Sequence, residues 1–206
     1  MNLIDKLSKI FGAFPGVGPR QAKRFVYFLL SDKRGVTAGL REALALVEKK
    51  ISRCKFCGRY FNGETKTDIC AVCSDKSRDH SILMVVAKDF DFEAIEKSGA
   101  YNGFYFVLGG TIPILSDKPE ERVRSKELSQ EIKRRVPEGL KEIILALNAN
   151  PEGENTTLYI EKLLTPFKSK DLKITVLGRG LSTGTELEYA DPLTIKEALS
   201  GRKPER

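Results

Sequence analysis

Along the first fifty residues the apolar positions fall at helical intervals. Ile4, Leu7 and Phe11 line one face of residues 4–13, and Ala22, Val26, Leu29 and Leu30 line one face of residues 19–31. Leu40, Leu44, Leu46 and Val47 do the same from about residue 38 to residue 51, so three consecutive helices are predicted. From position 81 the pattern changes to short aliphatic runs: 81–87 (SILMVVA), 104–108 (FYFVL), 142–147 (EIILAL) and 172–177 (LKITVL). Such runs are expected of strands buried on both faces. Helical stretches at 91–97, 119–135, 154–167 and 192–199 separate and follow them, several with Pro, Thr or Asp near their starts. The alternation predicts an α/β fold, with a parallel sheet and flanking helices behind a helical N-terminal region. The change of pattern places a boundary near Ser81, and residues 201–206 read as a tail.

Composition adds two constraints. A chain of 206 residues that is 41% hydrophobic can build a substantial core. No run approaches the ~20 apolar residues of a membrane helix, and the N-terminus lacks the apolar stretch of a secretory signal, so a cytoplasmic protein with no membrane partner is expected. In that compartment isolated disulfides are kept reduced, and the four cysteines, all between positions 54 and 73, call for another explanation.

Their spacing supplies it. Cys54-x2-Cys57, twelve residues, then Cys70-x2-Cys73 puts two thiolate pairs on two turns that can converge on one ion. Gly58 permits a tight knuckle whose N–H groups could point at sulfur, and Lys55 and Arg59 could offset the net charge of four thiolates around Zn²⁺. One structural zinc per chain is expected. A redox pair would need a single CxxC, and a catalytic zinc an open coordination position. His80, the only histidine, is poorly spaced to be a ligand.

Charge is unevenly shared. Residues 1–80 hold 16 Lys and Arg against 8 Asp and Glu, whereas residues 81–206 hold 19 against 20. A basic excess at one end suits a polyanion, although a solvated basic surface has the same count. The segment Phe14-Pro15-Gly16-Val17-Gly18-Pro19 sharpens the first reading. Gly16 and Gly18 let a phosphate approach the backbone, and Pro19 suits the first turn of a helix whose unpaired N–H groups carry partial positive charge. Arg20, Lys23 and Arg24 follow directly. The segment resembles the helix-hairpin-helix motif of sequence-independent DNA binders, the alternative being an αα-hairpin used for packing or dimerisation.

The order helix-hairpin-helix (1–53), four-Cys module (54–80) and α/β domain with a C-terminal helix (81–200) resembles the bacterial recombination mediator family RecR nearly from end to end. Besides the hairpin, the resemblance is carried by Ala94-Ile95-Glu96, Tyr101-Asn102-Gly103, Val107-Leu108-Gly109-Gly110 and Ile112-Pro113. Later segments are Pro151-Glu152-Gly153-Glu154-Asn155-Thr156-Thr157, Leu187-Glu188-Tyr189-Ala190-Asp191 and Ala198-Leu199-Ser200-Gly201-Arg202. The resemblance implies a Toprim-like domain, action in recombinational repair with RecO and, as a further partner, RecF, and assembly into dimers or a tetrameric ring.

Toprim enzymes place a glutamate after the first strand and an Asp-x-Asp pair after a later one, to hold Mg²⁺. Here Ala87 follows the first run, and Asn148-Ala149-Asn150 follows Leu147. Phe106 stands where the family commonly has histidine. Glu152 and Glu154 remain, as a helix-start cluster or a docking surface for a basic partner. The expected function is therefore a non-catalytic mediator that holds duplex and gapped DNA and helps load recombinase at single-strand gaps. The alternatives are a Mg²⁺-dependent Toprim nuclease or topoisomerase and a zinc-containing RNA-binding or structural module. The run 178–184 (GRGLSTG) lacks the Lys-Ser/Thr of a P-loop, so a strand-to-helix loop and no ATP hydrolysis are expected.

Overall fold

The computed structural model describes residues 2–63, 68–178, 180, 181, 184 and 186–202. It divides into two compact units, residues 1–51 and 52–206.

The first unit is helical. α1 (Leu3–Gly12) starts where the Asn2 side chain accepts the Asp5 N–H, and α2 (Pro19–Leu30) starts with proline in its first turn. They pack on each other through Ala22 and Val26, with Phe11 edge-on to Phe14 and Phe25 at 5.8 and 5.7 Å. α3 (Val36–Lys50) is entered through Asp32, whose carboxylate accepts the Arg34 and Thr37 N–H groups. Its predicted apolar face exists, but none of its residues is buried.

The second unit begins with a two-stranded ribbon, β1 (Ile51–Arg53) and β2 (Tyr60–Asn62), and a single helical turn, α4 (Ala71–Ser74). None of the three was expected, because elements of three or four residues are too short to show a period. The sheet follows: β3 (Asp79–Val86), β4 (Gly103–Val107), β5 (Glu142–Ala146) and β6 (Lys173–Val176), all parallel in the order β4-β3-β5-β6. The flanking helices are α5 (Asp89–Ser98), α6 (Pro119–Arg122), α7 (Ser125–Arg135), α8 (Pro151–Leu164) and α9 (Pro192–Ser200).

Alternate residues of the strands face opposite sides. Leu83, Val85, Phe104, Phe106, Ile143 and Leu145 meet Leu128 and Ile132 of α7 and Ile160 and Leu164 of α8. Met84, Val86, Tyr105, Val107 and Ala146 meet Phe92 of α5 and the cysteine segment, through Cys54, Cys57, Cys70 and Val72. The cysteine module thus covers part of the second face, where a doubly covered sheet elsewhere uses helices.

Two helix boundaries depart from the sequence reading. The helix expected over 119–135 is broken at Val123, which is extended (φ −137°, ψ 158°). Val123 is drawn into the core, and the Arg124 N–H donates to the Leu108 carbonyl at 3.0 Å. α8 starts three residues before the expected Glu154: Asn150 caps it by accepting the Gly153 N–H at 2.8 Å, and Pro151 occupies its first turn.

Candidate metal centre and nucleic-acid interface

Cys54, Cys57, Cys70 and Cys73 come together with all four Sγ atoms within 4.8 Å of one another, and among the described residues they form the one such cluster of metal-ligating side chains. Cys54 and Cys57 lie in the turn between β1 and β2, Cys70 caps α4 and Cys73 lies within it. The first three are buried. The turn is closed by Gly58 N–H to Cys54 C=O and Cys54 N–H to Arg59 C=O, both 2.9 Å. Gly58 has φ 76°, as a tight knuckle needs. Its N–H meets a carbonyl rather than sulfur. Among the described residues, the Cys70 N–H points at sulfur, 3.4 Å from Cys54 Sγ.

Thiols this close cannot ionise independently. Hydrogen bonding within the cluster, foremost with Cys57, holds Cys54 far below the ordinary thiol range, whereas contacts led by Cys54 push Cys57 and Cys73 far above it. Cys70 settles at about 7, raised by Cys54 and lowered by Cys57 and Cys73. A divalent cation among the sulfurs would remove this competition and let all four act as thiolates. Four sulfurs in a buried pocket fit one metal ion.

The knuckle is fastened to the sheet. Val107 N–H donates to Cys57 C=O at 2.8 Å, Arg53 Nε to Gly58 C=O at 2.9 Å and Arg124 Nη1 to Val107 C=O at 3.3 Å. The Arg124 guanidinium occupies the space where a Gly58 side chain would stand. Lys55 and Arg59, the cations singled out from sequence, lie instead over the rings of Phe56 and Phe92, at 5.4 and 4.3 Å. Arg53 and Arg124 went unremarked in the sequence because they lie seventy-one residues apart and meet at the knuckle only in the fold. His80 lies on β3 beside the Phe104 ring, outside the cluster.

In the first unit the hairpin takes the expected form. Gly16 has φ 76°, the Val17 N–H closes on the Phe14 carbonyl at 3.1 Å, and Gly18 is the extended residue before α2. A Cβ at Gly16 or Gly18 would meet nothing within 4 Å, so the backbone there is open to an approaching group. Arg20, Lys23 and Arg24 are exposed on the first turns of α2, with Arg24 reaching back to Gln21. Lys23 also lines a groove between α1 and α2 together with Lys9 and Ser8. Lys9 is a cation that the sequence pattern had placed only on a helix.

At the carboxyl ends of the strands, Ala87 is fully buried and its carbonyl accepts the Gly109 N–H. Asn150 is occupied in capping α8. Glu152 is exposed and accepts a hydrogen bond from the Thr111 hydroxyl at 3.0 Å, and Glu154 is half-buried. Phe106 is fully buried, with the Arg124 guanidinium 5.1 Å from its ring centre. In the glycine-rich run, Gly178 and Gly180 border a small cavity with Asp191, whose carboxylate caps α9, while Arg179, Ser182 and Thr183 lie outside the described residues. Among the described residues no helix is long and apolar enough to cross a membrane.

Residues 2–47 match the family model described as "RecR, helix-hairpin-helix", residues 81–178 the Toprim domain model and residues 180–203 the model "RecR, C-terminal". The chain is 38% identical to a protein named Recombination protein RecR in Staphylococcus haemolyticus, over 97% of this chain and 96% of that one. A protein of the same name in Bifidobacterium adolescentis is 38% identical, covering 97% and 95%, and one in Staphylococcus aureus is 37% identical, covering 97% and 96%.

Proposed function

The chain belongs to the RecR family, and from that premise we propose that it is a non-catalytic recombination mediator that holds DNA through its hairpin while a zinc ion maintains its second unit. The observation that carries this reading is the hairpin: two backbone glycines with open space beside them, a helix N-terminus and three exposed cations in five consecutive positions of α2. Gly16, Gly18, Arg20, Lys23 and Arg24 make contacts of a kind that neutralise phosphates without reading bases. Binding to duplex and gapped DNA is then salt-dependent and indifferent to sequence.

Zinc suits the cysteine cluster. Four Zn–S bonds of ~2.3 Å in a tetrahedron set the sulfurs about 3.8 Å apart, and Cys57 Sγ lies 3.6 Å from Cys70 Sγ. Closed by four protein ligands, the ion has no position for substrate, so its role is structural. The Toprim sheet edge supports the absence of phosphodiester chemistry: a buried methyl group stands at Ala87 and a helix-capping amide at Asn150. Two carboxylates at Glu152 and Glu154 are better suited to docking a basic partner surface than to catalysis.

Family membership supports RecO, with RecF alongside it, as the cytoplasmic partners with which recombinase is loaded at single-strand gaps. One hairpin per chain binds weakly, so useful affinity requires a dimer or tetrameric ring, and the uncovered apolar face of α3 suits such assembly. The test is a fluorescence-anisotropy titration of gapped DNA with and without RecO. Wild type should bind, and Arg20→Ala with Arg24→Ala should bind at least tenfold more weakly while still co-purifying with RecO. Unchanged affinity in the double variant would remove the hairpin from the interface.

A further inference from the structure

At the carboxyl end of β4 the chain turns through Gly109 with φ 88°, flanked by the Arg53 guanidinium and by the aliphatic stem of Arg124, whose guanidinium lies over Gly58. The position a Cβ would take on Gly109 is 3.2 Å from Arg53 Nη2 and 3.8 Å from Arg124 Cδ. Both arginines are held from behind by the metal-binding knuckle and its neighbouring strand, through the bonds to Gly58 and Val107 described above. Arg122 borders the same cavity, which measures about 340 Å³.

Three carboxylates, Glu120, Glu121 and Glu127, border the same cavity, and none of them pairs with Arg53. Glu121 is engaged by Lys118 at 2.8 Å. Glu127 comes only to 3.5 Å from Arg124 Nε, which makes no hydrogen bond although it is buried. Glu120 is exposed on α6. Among the described residues Arg53 has no carboxylate at ion-pair distance. Part of the positive charge of these arginines offsets the thiolates behind Gly58. That role accounts for Arg124, which packs on the knuckle, but does not explain why exposed Arg53 converges on the same glycine turn.

We propose that Arg53 and Arg124, together with the Gly109 turn, form a second phosphate site, separate from the hairpin and lying wholly within the second unit. Guanidinium forks match phosphate oxygens in geometry as well as charge. The site stands beyond the carboxyl end of a parallel strand, where sheets of this type bind ligands. Side-chain cations there would meet a phosphate directly, on a sheet whose edge has Ala87 and Asn150 in place of metal-binding carboxylates. The phosphate is that of a nucleic-acid backbone or of a free nucleotide.

The proposal is tested on zinc-loaded full-length protein with Arg53→Gln, chosen because Arg53 is exposed and its loss leaves Arg124 against Gly58. Metal should still be bound, and the melting temperature should fall only slightly, through loss of the Arg53–Gly58 hydrogen bond. Inorganic phosphate should shift the Gly109 amide and the Arg53 Nε–H signals saturably in wild type, and chloride at equal ionic strength should not. In Arg53→Gln the Gly109 shift should vanish. If the phosphate is that of DNA, the slope of log affinity against log salt falls by about 0.9 for the one lost contact, on top of the loss from the hairpin variants. If ATP saturates the same amides and the DNA slope is unchanged, the site serves a free nucleotide. No phosphate-dependent shift, together with an unchanged DNA slope, overturns the site. A change at Arg53 with none at Arg20 and Arg24 would instead overturn the hairpin reading and leave this one standing.

Discussion

Gly58 carries two demands at once: its backbone sits at φ 76°, and Arg124 fills the volume a side chain would need. A left-handed non-glycine residue costs about 1–3 kcal/mol before any displacement of Arg124 is counted. Gly58→Ala should therefore lower the melting temperature and loosen the metal, seen as faster metal release to a chromophoric chelator. From sequence only the first demand was legible, because CxxCG announces a knuckle but not the arginine that arrives from residue 124. A second residue-scale expectation concerns Glu96. Burial raises its carboxyl pKa, but the paired Arg78 guanidinium, which donates to both carboxylate oxygens, lowers it further, leaving it below the usual 4.5. A carboxyl depressed on folding stabilises the protein above its unfolded pKa, and that contribution is lost as pH falls through the folded value. Melting temperature should thus decline on acidification below about pH 4.5, and less steeply in Glu96→Gln.

At the scale of elements, α7 contains a buried ion network that the amphipathic pattern had concealed among surface charges. Glu131 is 5% exposed at its side chain and pairs with Arg135, 3% exposed, at 2.6 Å and with Arg134 at the same distance. Removing the carboxylate strands a buried guanidinium, at a cost of about 3–5 kcal/mol. Glu131→Ala should show this in chemical denaturation, whereas Lys133→Ala on the same helix should be near neutral. The four strands and most helices were legible because continuous aliphatic runs and 3.6-residue spacing are strong signals. The break at Val123 was not, since it depends on a carbonyl at Leu108 that only the folded sheet brings near. β1, β2 and α4 escaped notice because, at three or four residues each, they are too short to show a period.

On the scale of the whole molecule, the cysteine module is part of the sheet's packing, since Cys54, Cys57 and Cys70 share a cluster with Met84, Val86, Tyr105 and Val107. Metal removal should therefore melt the second unit rather than a local loop: a chelator should lower the near-ultraviolet signal of the sheet tyrosines while α1 and α2 keep their helicity. The clustering of the four cysteines and the turn between α1 and α2 were readable because each is set by local spacing. The paired arginines at Gly109 were not, because they lie seventy-one residues apart and meet only through tertiary structure.

The central claim is that this chain grips the nucleic-acid backbone and leaves it intact. Its most direct test measures affinity for two duplexes of unrelated sequence across a salt series in Mg²⁺, with strand integrity followed by denaturing gel. The expected result is one steep line of log affinity against log salt shared by both duplexes, with every strand uncut. A flat dependence, a preference of tenfold or more for one sequence, or nicks that require Glu152 would contradict it.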